Sequence, residues 1–337
     1  VMSSNDVVDQ SAYELLHKNI KKGEGMLLAK HVEKYFPGGY LKADSQNKIQ
    51  KIVEKPGEGK EPSKLVNIVM HFHPDSQALL DALENISSKC DDRYECALQK
   101  LFDDGVTYRA VPFKGFWQPV KYPWHVISLM NYFIGTVKSK KSKSVQIAKS
   151  ATVKGEVYLE EGVRVLENAV IIGPAYIGKN TVVATNALVR QSHIGPDCVI
   201  GFGSEVARSF VGGGVWTHTN YIGDSIIGED VSFGAGAVTG NLRLDEKNIQ
   251  VAINGGTTKV DCGSNKFGLV TGDHIRVGVN TNFMPGIKVG SNSFVGAGIV
   301  VGQDIPENSY VTGEWNLKVK ENREKITPRK TLGKFPA

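Results

Sequence analysis

The stretch VWTHTNYIGDSIIGED (215–230) places a histidine, an asparagine and a tyrosine close together as His218, Asn220 and Tyr221. Further along, Asn241, Arg243 and Lys247 open a second polar segment. An imidazole accepts a proton near neutral pH, a phenol or carboxamide orients and stabilises, and a lysine or arginine holds an anion. These types together suit removal of a proton from a bound substrate. A single histidine on a surface coil is more often just solvated; the company of His218 is what gives it weight. A metal centre is the poorer reading, because one histidine without a cysteine or carboxylate cluster cannot fill a coordination shell.

The elements that must position these residues follow an unusual period. From Ile147 an aliphatic residue returns every six positions: Val153, Leu159, Val165, Ile171, Ile177, Val183, Val189. The series restarts at Ile194, Ile200 and Val206, resumes at Ile227 and Phe233, and returns from Val277 through Val301. Six matches neither the 3.6-residue period of an α-helix nor the two-residue period of a lone strand. It matches a triangular coil in which each short parallel strand turns one aliphatic side chain inward and three strands close a turn. The corners IGKN, IGPD, IGED and VGSN offer Gly, Asn and Asp where the backbone must enter tight or left-handed conformations. Each coil buries its inner face only against the next, so many repeats are needed. The pattern predicts a left-handed parallel β-helix over 145–315. The polar segments interrupt it at 207–221 and at 240–268, and breaks in a rigid repeat are where chemistry enters.

Residues 1–135 have a different grammar. Helical spacing appears over 11–20 and 75–86, and strand patterns over 64–72 and 106–113, separated by Gly and Pro clusters. A basic linker at 136–144 containing KSKKSKS joins the halves, and a basic tail occupies 316–337. The net charge of +5 is mild and concentrated in that linker and tail, which argues against a nucleic-acid surface. No segment has the length and apolarity of a membrane span. The four cysteines have no metal or disulfide spacing and read as free thiols in a reducing cytoplasm.

The segment HTNYIGDSIIGEDVSFGAGAVTGNLRLDEKN (218–248) carries H-x-x-Y-x-G-D and G-A-G-x-x-T-x-N, with a lysine six residues after that Asn. It resembles the acetyltransferase domain of the bifunctional sugar-1-phosphate nucleotidyltransferase/amino-sugar-1-phosphate acetyltransferases. The archaeal-type members, relatives of N-acetylglucosamine-1-phosphate uridyltransferase, are the nearest in pattern. The resemblance implies acetyl transfer from acetyl-CoA to the amine of glucosamine-1-phosphate or galactosamine-1-phosphate, in nucleotide-sugar biosynthesis. It makes His218 the general base and gives Tyr221, Asn241 and Lys247 the amino-sugar phosphate. Ala235, Gly278 and Ala297 would line the acetyl-CoA groove, and Arg208 and Arg243 would assist with the substrate's phosphate. A homotrimer is implied, with the sites between neighbouring solenoids.

The first half resembles the rear of the family's nucleotidyltransferase domain, a Rossmann-like α/β fold. SSNDVVD matches the strand whose Asp, here Asp6, holds Mg²⁺. IQKIVEKP supplies Glu54 and Lys55, LVNIVMHF supplies Asn67, and all three would contact the sugar phosphate. GFWQPVKYPWHVI matches the closing W-x-D-x-G-x-P-W, except that the second metal Asp falls on Pro119. No Gly-rich triphosphate loop is present, so the expectation is a truncated head without nucleotidyl transfer and with Mg²⁺ needed only by a complete domain. Two rival readings follow. One is a nucleotidyltransferase using UTP or dTTP whose front is absent; the other is a non-catalytic paralogue.

Overall fold

The computed structural model describes residues 1–314 and 318–323, so most of the basic tail lies outside the described residues. The chain opens with β1 (Asp6–Val8), α1 (Gln10–Asn19), β2 (Gly25–His31), β3 (Gly39–Ala43), β4 (Ile49–Glu54) and β5 (Leu65–Phe72). It continues through α2 (Ser76–Asn85), α3 (Arg93–Asp103), β6 (Tyr108–Pro112), β7 (Trp117–Pro119) and α4 (His125–Thr136). Five strands form one mixed sheet in the order β4-β3-β5-β2-β6, while β1 and β7 pair separately. On one face Leu79 and Ala82 of α2 and Leu98 and Leu101 of α3 pack against Leu27, Leu41 and Tyr108. On the other, Ala12 of α1 meets Leu28, Ile68 and Val111. Asp9 and Asp75 start α1 and α2 by accepting backbone N–H groups of the first turn. The helices and strands expected from the sequence stand where their periodicity put them; α3 and α4 were not anticipated.

From Lys140 the chain winds as a parallel solenoid with three faces. One face is an eight-stranded ladder from Thr152–Lys154 to Val300–Val301, and a second runs over eight strands from Lys140–Lys141 to Lys288–Val289. The third splits into two four-stranded ladders, joined only by bridges from Trp216 to Val199 and to Ser232. The regular strand therefore fails on one face at the rung that carries THTNY.

Inside, the residues in six-fold phase form a single core from Leu159 to Val301. Ile147 and Val153 are exceptions, left partly exposed on the first coil, whose outer end has no rung to cover it. Each inward aliphatic has an inward partner two residues earlier, often a smaller one, a feature the six-residue reading did not separate. Many of these partners are hydroxyl residues. Ser192, Ser209 and Ser225 each accept the backbone N–H of the next rung, so the buried oxygens are satisfied along the axis. The corners are left-handed as expected: Asn168, Asn180, Asp197, Asp230 and Asn280 all have φ between 52° and 59°.

The second break is an antiparallel hairpin, Gln250–Ile253 paired with Thr258–Asp261. Ile249, Val251 and Phe267 at its base form an apolar cluster with Ile226, Trp124, Val126, Ile127 and Phe210. The hairpin and α4 thus cover the same solenoid face and fasten the head to it. Among the described residues no helix is long and apolar enough to cross a membrane, and all four cysteines are free thiols.

Candidate functional site

The irregular rung is pinned by Asn220. Its side chain is buried, and Nδ2 donates to the carbonyls of Gly234 (2.8 Å) and Ala237 (3.0 Å) in the next coil. Its Oδ1 accepts the backbone N–H of His218 at 2.5 Å. Thr219, between them, takes the left-handed conformation with φ of 52°. The outcome is a fixed backbone at His218 and an exposed imidazole that makes no side-chain hydrogen bond, ion pair or ring contact among the described residues.

That imidazole stands on a corner made of small residues. Phe233 N–H donates to Trp216 O at 2.9 Å and Gly236 N–H to Thr219 O at 3.2 Å, which sets Ala235 one coil from His218. Asn280 N–H donates to Ala235 O and Gly298 N–H to Val279 O, carrying the corner on to Gly278 and Ala297. The coils approach so closely that a Cβ on Gly278 would lie 2.7 Å from the Ala297 Cα. Ala235, Gly278 and Ala297 therefore share one corner over three successive coils, beside the exposed base.

On the neighbouring face a second group of residues is tied together. The Asn241 Nδ2 donates to the Tyr221 hydroxyl (3.1 Å) and to the Asp224 Oδ2 (2.5 Å). Arg208 clasps both oxygens of Asp224, at 2.6 Å each. The bond it donates to Asp224, together with the nearby Tyr221, raises the Arg208 pKa against the opposing effect of burial. Asp224 is 7% exposed and Gly223 lies directly beneath the cluster. A Cβ at Gly223 would come within 2.5 Å of the Tyr221 hydroxyl and 2.7 Å of the Asn241 Nδ2. Arg208, expected to hold a phosphate, is thus committed to Asp224. Asp224, Gly223 and Asn220 were missed as participants. The sequence contained a signal for the first two in the G-D that ends H-x-x-Y-x-G-D, but those letters also spell an ordinary corner.

Among the described residues Arg243 and Lys247 make no hydrogen bond or ion pair to this cluster. Arg243 forms an exposed two-point pair with Asp245 (2.8 and 2.7 Å), and this holds the Asp245 carboxyl far below its usual pKa. Lys247 is exposed, and its backbone N–H donates to the same aspartate at 3.3 Å.

In the head, Glu54, Asn67 and Gly39 line one small space. A Cβ on Gly39 would lie 3.1 Å from Glu54 Oε2 and 3.5 Å from the Asn67 Cβ. Glu54 pairs with Lys55 at 3.2 Å, and its side chain is only 15% exposed, which is more buried than an ordinary strand-end pair. Lys121 stands where the closing motif has Gly. Burial lowers its pKa, with Glu54, Lys55 and Asp6 all within electrostatic reach, and its Nζ donates to Pro37 O at 2.7 Å. Asp6 sits directly across the ladder from Pro119. Its carboxylate accepts from Trp117 Nε1 (3.0 Å) and from the Val69 N–H (3.3 Å). A divalent cation needs several free oxygen ligands. Both Asp6 oxygens thus already accept protein hydrogen bonds, and Pro119 offers no second carboxylate across the ladder.

Behind Asn67 runs a buried polar chain. Tyr108 Oη lies 2.8 Å from His73 Nδ1, and His73 Nε2 lies 3.0 Å from Tyr94 Oη. Tyr94 Oη lies 2.8 Å from His71 Nδ1, and His71 Nε2 lies 2.9 Å from Asn67 Oδ1. Asn67 Oδ1 can only accept, so His71 carries its proton on Nε2 and each group in turn donates once toward Asn67. Burial lowers the pKa of His71 well below its ordinary value and that of His73 to about 4. It pushes Tyr108 up to about 12, so all four groups are neutral.

Comparison with known proteins gives four findings. A family model described as nucleotidyl transferase matches residues 1–120. A bifunctional protein GlmU from Methanococcus vannielii is 31% identical over 95% of this chain and 76% of its own length. A bifunctional sugar-1-phosphate nucleotidylyltransferase/acetyltransferase from Sulfurisphaera tokodaii is 31% identical over 79% of this chain and 66% of its own. Among solved structures, a UDP-N-acetylglucosamine acyltransferase overlaps 51% of this chain and 70% of its own, at 17% identity and a TM-score of 0.36.

Proposed function

The chain belongs to the family of bifunctional GlmU proteins, and from that premise we propose that its solenoid transfers an acetyl group from acetyl-CoA to the amine of an amino-sugar 1-phosphate. The observation that carries the reading is the exposed, unpartnered imidazole of His218, held by Asn220 on the corner shared with Ala235, Gly278 and Ala297. The amine nitrogen attacks the thioester carbonyl and its surplus proton passes to the imidazole. The C–S bond then breaks and coenzyme A leaves as the thiol, taking a proton. A thioester is activated enough for this without a metal, but an amine that is largely protonated at neutral pH needs a base. Tyr221 and Asn241 hold sugar hydroxyls beside His218.

Lys247 and Arg243, with no bond to Tyr221 in their own chain, reach the substrate phosphate from a neighbouring copy in a homotrimer. The sugar is glucosamine or galactosamine. The head binds sugar phosphate through Glu54, Lys55 and Asn67 without nucleotidyl transfer, given that Asp6 faces Pro119 and both its oxygens are engaged. Incubation with acetyl-CoA and either amino-sugar 1-phosphate should release free thiol; release no faster than without acceptor overturns the reading. Incubation with UTP or dTTP, sugar 1-phosphate and Mg²⁺ should release no pyrophosphate. Pyrophosphate release would restore nucleotidyl transfer to the head.

A further inference from the structure

Asp224 is a buried carboxylate with three hydrogen bonds, two from Arg208 and one from Asn241. Burying a charge costs free energy unless it is fully paired, so a buried carboxylate beside a candidate site calls for a reason. The pairing is local and specific. Arg208 and Asp224 occupy equivalent left-handed corners of successive coils, with φ of 50° and 48°, and Asp224 N–H donates to Ala207 O.

We propose that Asp224, held by Arg208, is a positioning residue that sets which hydrogen-bonding groups Tyr221 and Asn241 present to the acceptor sugar. A carboxylate only accepts, so the end of the Asn241 carboxamide that faces Asp224 must be its NH₂. The amide oxygen is then turned the other way, as an acceptor for a sugar hydroxyl. The same NH₂ donates to the Tyr221 oxygen, which leaves the phenolic proton to be donated outward. One buried charge thereby fixes an adjacent donor and acceptor, the pair that recognises neighbouring hydroxyls on a ring. Gly223 is part of the device, because any side chain there would displace both groups. Without the charge the carboxamide can rotate and offer donor where acceptor is needed.

The inference rests on the acetyl-transfer reading, and its test separates the two. Asp224→Asn keeps the shape and removes the charge. The KM for the amino-sugar phosphate should rise about tenfold, the size of one lost charge-assisted hydrogen bond, while the KM for acetyl-CoA stays within about twofold. Because the effect passes through Asn241, adding Asp224→Asn to Asn241→Ala should cost nothing further. Additive losses, or an equal rise in both KM values, overturn the positioning role. A second measurement needs no activity. The side-chain NH₂ resonances of Asn241, identified by their loss in Asn241→Ala, should shift strongly in Asp224→Asn. Unchanged resonances overturn the inference even if the enzyme is active. A strong shift in a chain that transfers no acetyl group upholds the device and sinks the reading of function.

Discussion

His218→Ala removes an exposed ring that makes no side-chain hydrogen bond, ion pair or ring contact among the described residues, so the fold has little to lose. Acetyl transfer should fall by about 10²–10⁴-fold, the usual contribution of a positioned base, with the melting temperature nearly unchanged. Raising the pH should recover part of the loss, since more substrate amine is then already neutral. Equal rates in parent and variant would place the base elsewhere, and a large drop in melting temperature would make the residue structural. His218, Tyr221 and Asn241 could be picked out of the sequence because their types interrupt a monotonous repeat. Asp224 could not, because aspartate is also a normal corner residue. Its partnership with Arg208 spans one coil, and only the register of the rungs shows it. Arg208, assigned to phosphate, directs two of its donors to Asp224.

At the scale of elements, the head contains the chain Tyr108–His73–Tyr94–His71–Asn67, in which a buried and a half-buried histidine are both neutral. Their folded pKa values lie below the ordinary histidine value, so the unfolded chain binds protons that the native head refuses. Stability is then full above about pH 6.5 and declines as the pH falls toward the folded value of about 4 for His73. Urea unfolding followed by tryptophan fluorescence should show a lower midpoint for the head at pH 5 than at pH 7; equal midpoints would refute the neutral assignment. Tyr94→Phe leaves both rings short of a partner and should destabilise the head by about 1–3 kcal/mol even at pH 7. This network was not legible in the sequence. His71 and His73 lie on and just beyond a strand pattern, while Tyr94 arrives from a helix that was not anticipated. The hairpin at 250–261 was hidden for a related reason. Its alternation is only four residues per strand, and a search tuned to a period of six registers it as noise.

The whole molecule has one solenoid face covered by its own chain, because α4 and the hairpin lie over Phe210, Ile226 and Val270. The other two faces carry exposed apolar side chains in register: Trp216, Phe294 and Tyr310 on one, Val238 and Val300 on the other. Ser232 and Arg276 stand between Trp216 and Phe294, and Asn282 between Val238 and Val300, so each face mixes apolar and polar side chains as association surfaces do. Two free faces around a three-sided rod are what a closed ring of copies needs, each copy offering one face to each neighbour. The corner bearing His218 and Ala235 would then border an interface, which lets the rim that carries Lys247 on one copy approach Tyr221 on the next. Sedimentation at micromolar concentration should therefore give about three times the chain mass. Phe294→Arg, which sets a charge in the middle of one face, should shift the chain to monomer. If the site is shared, thiol release should disappear with the trimer even though His218, Tyr221 and Asn241 are untouched. A monomeric variant that keeps its full rate would show that each chain holds a complete site, and Lys247 would lose its assigned role.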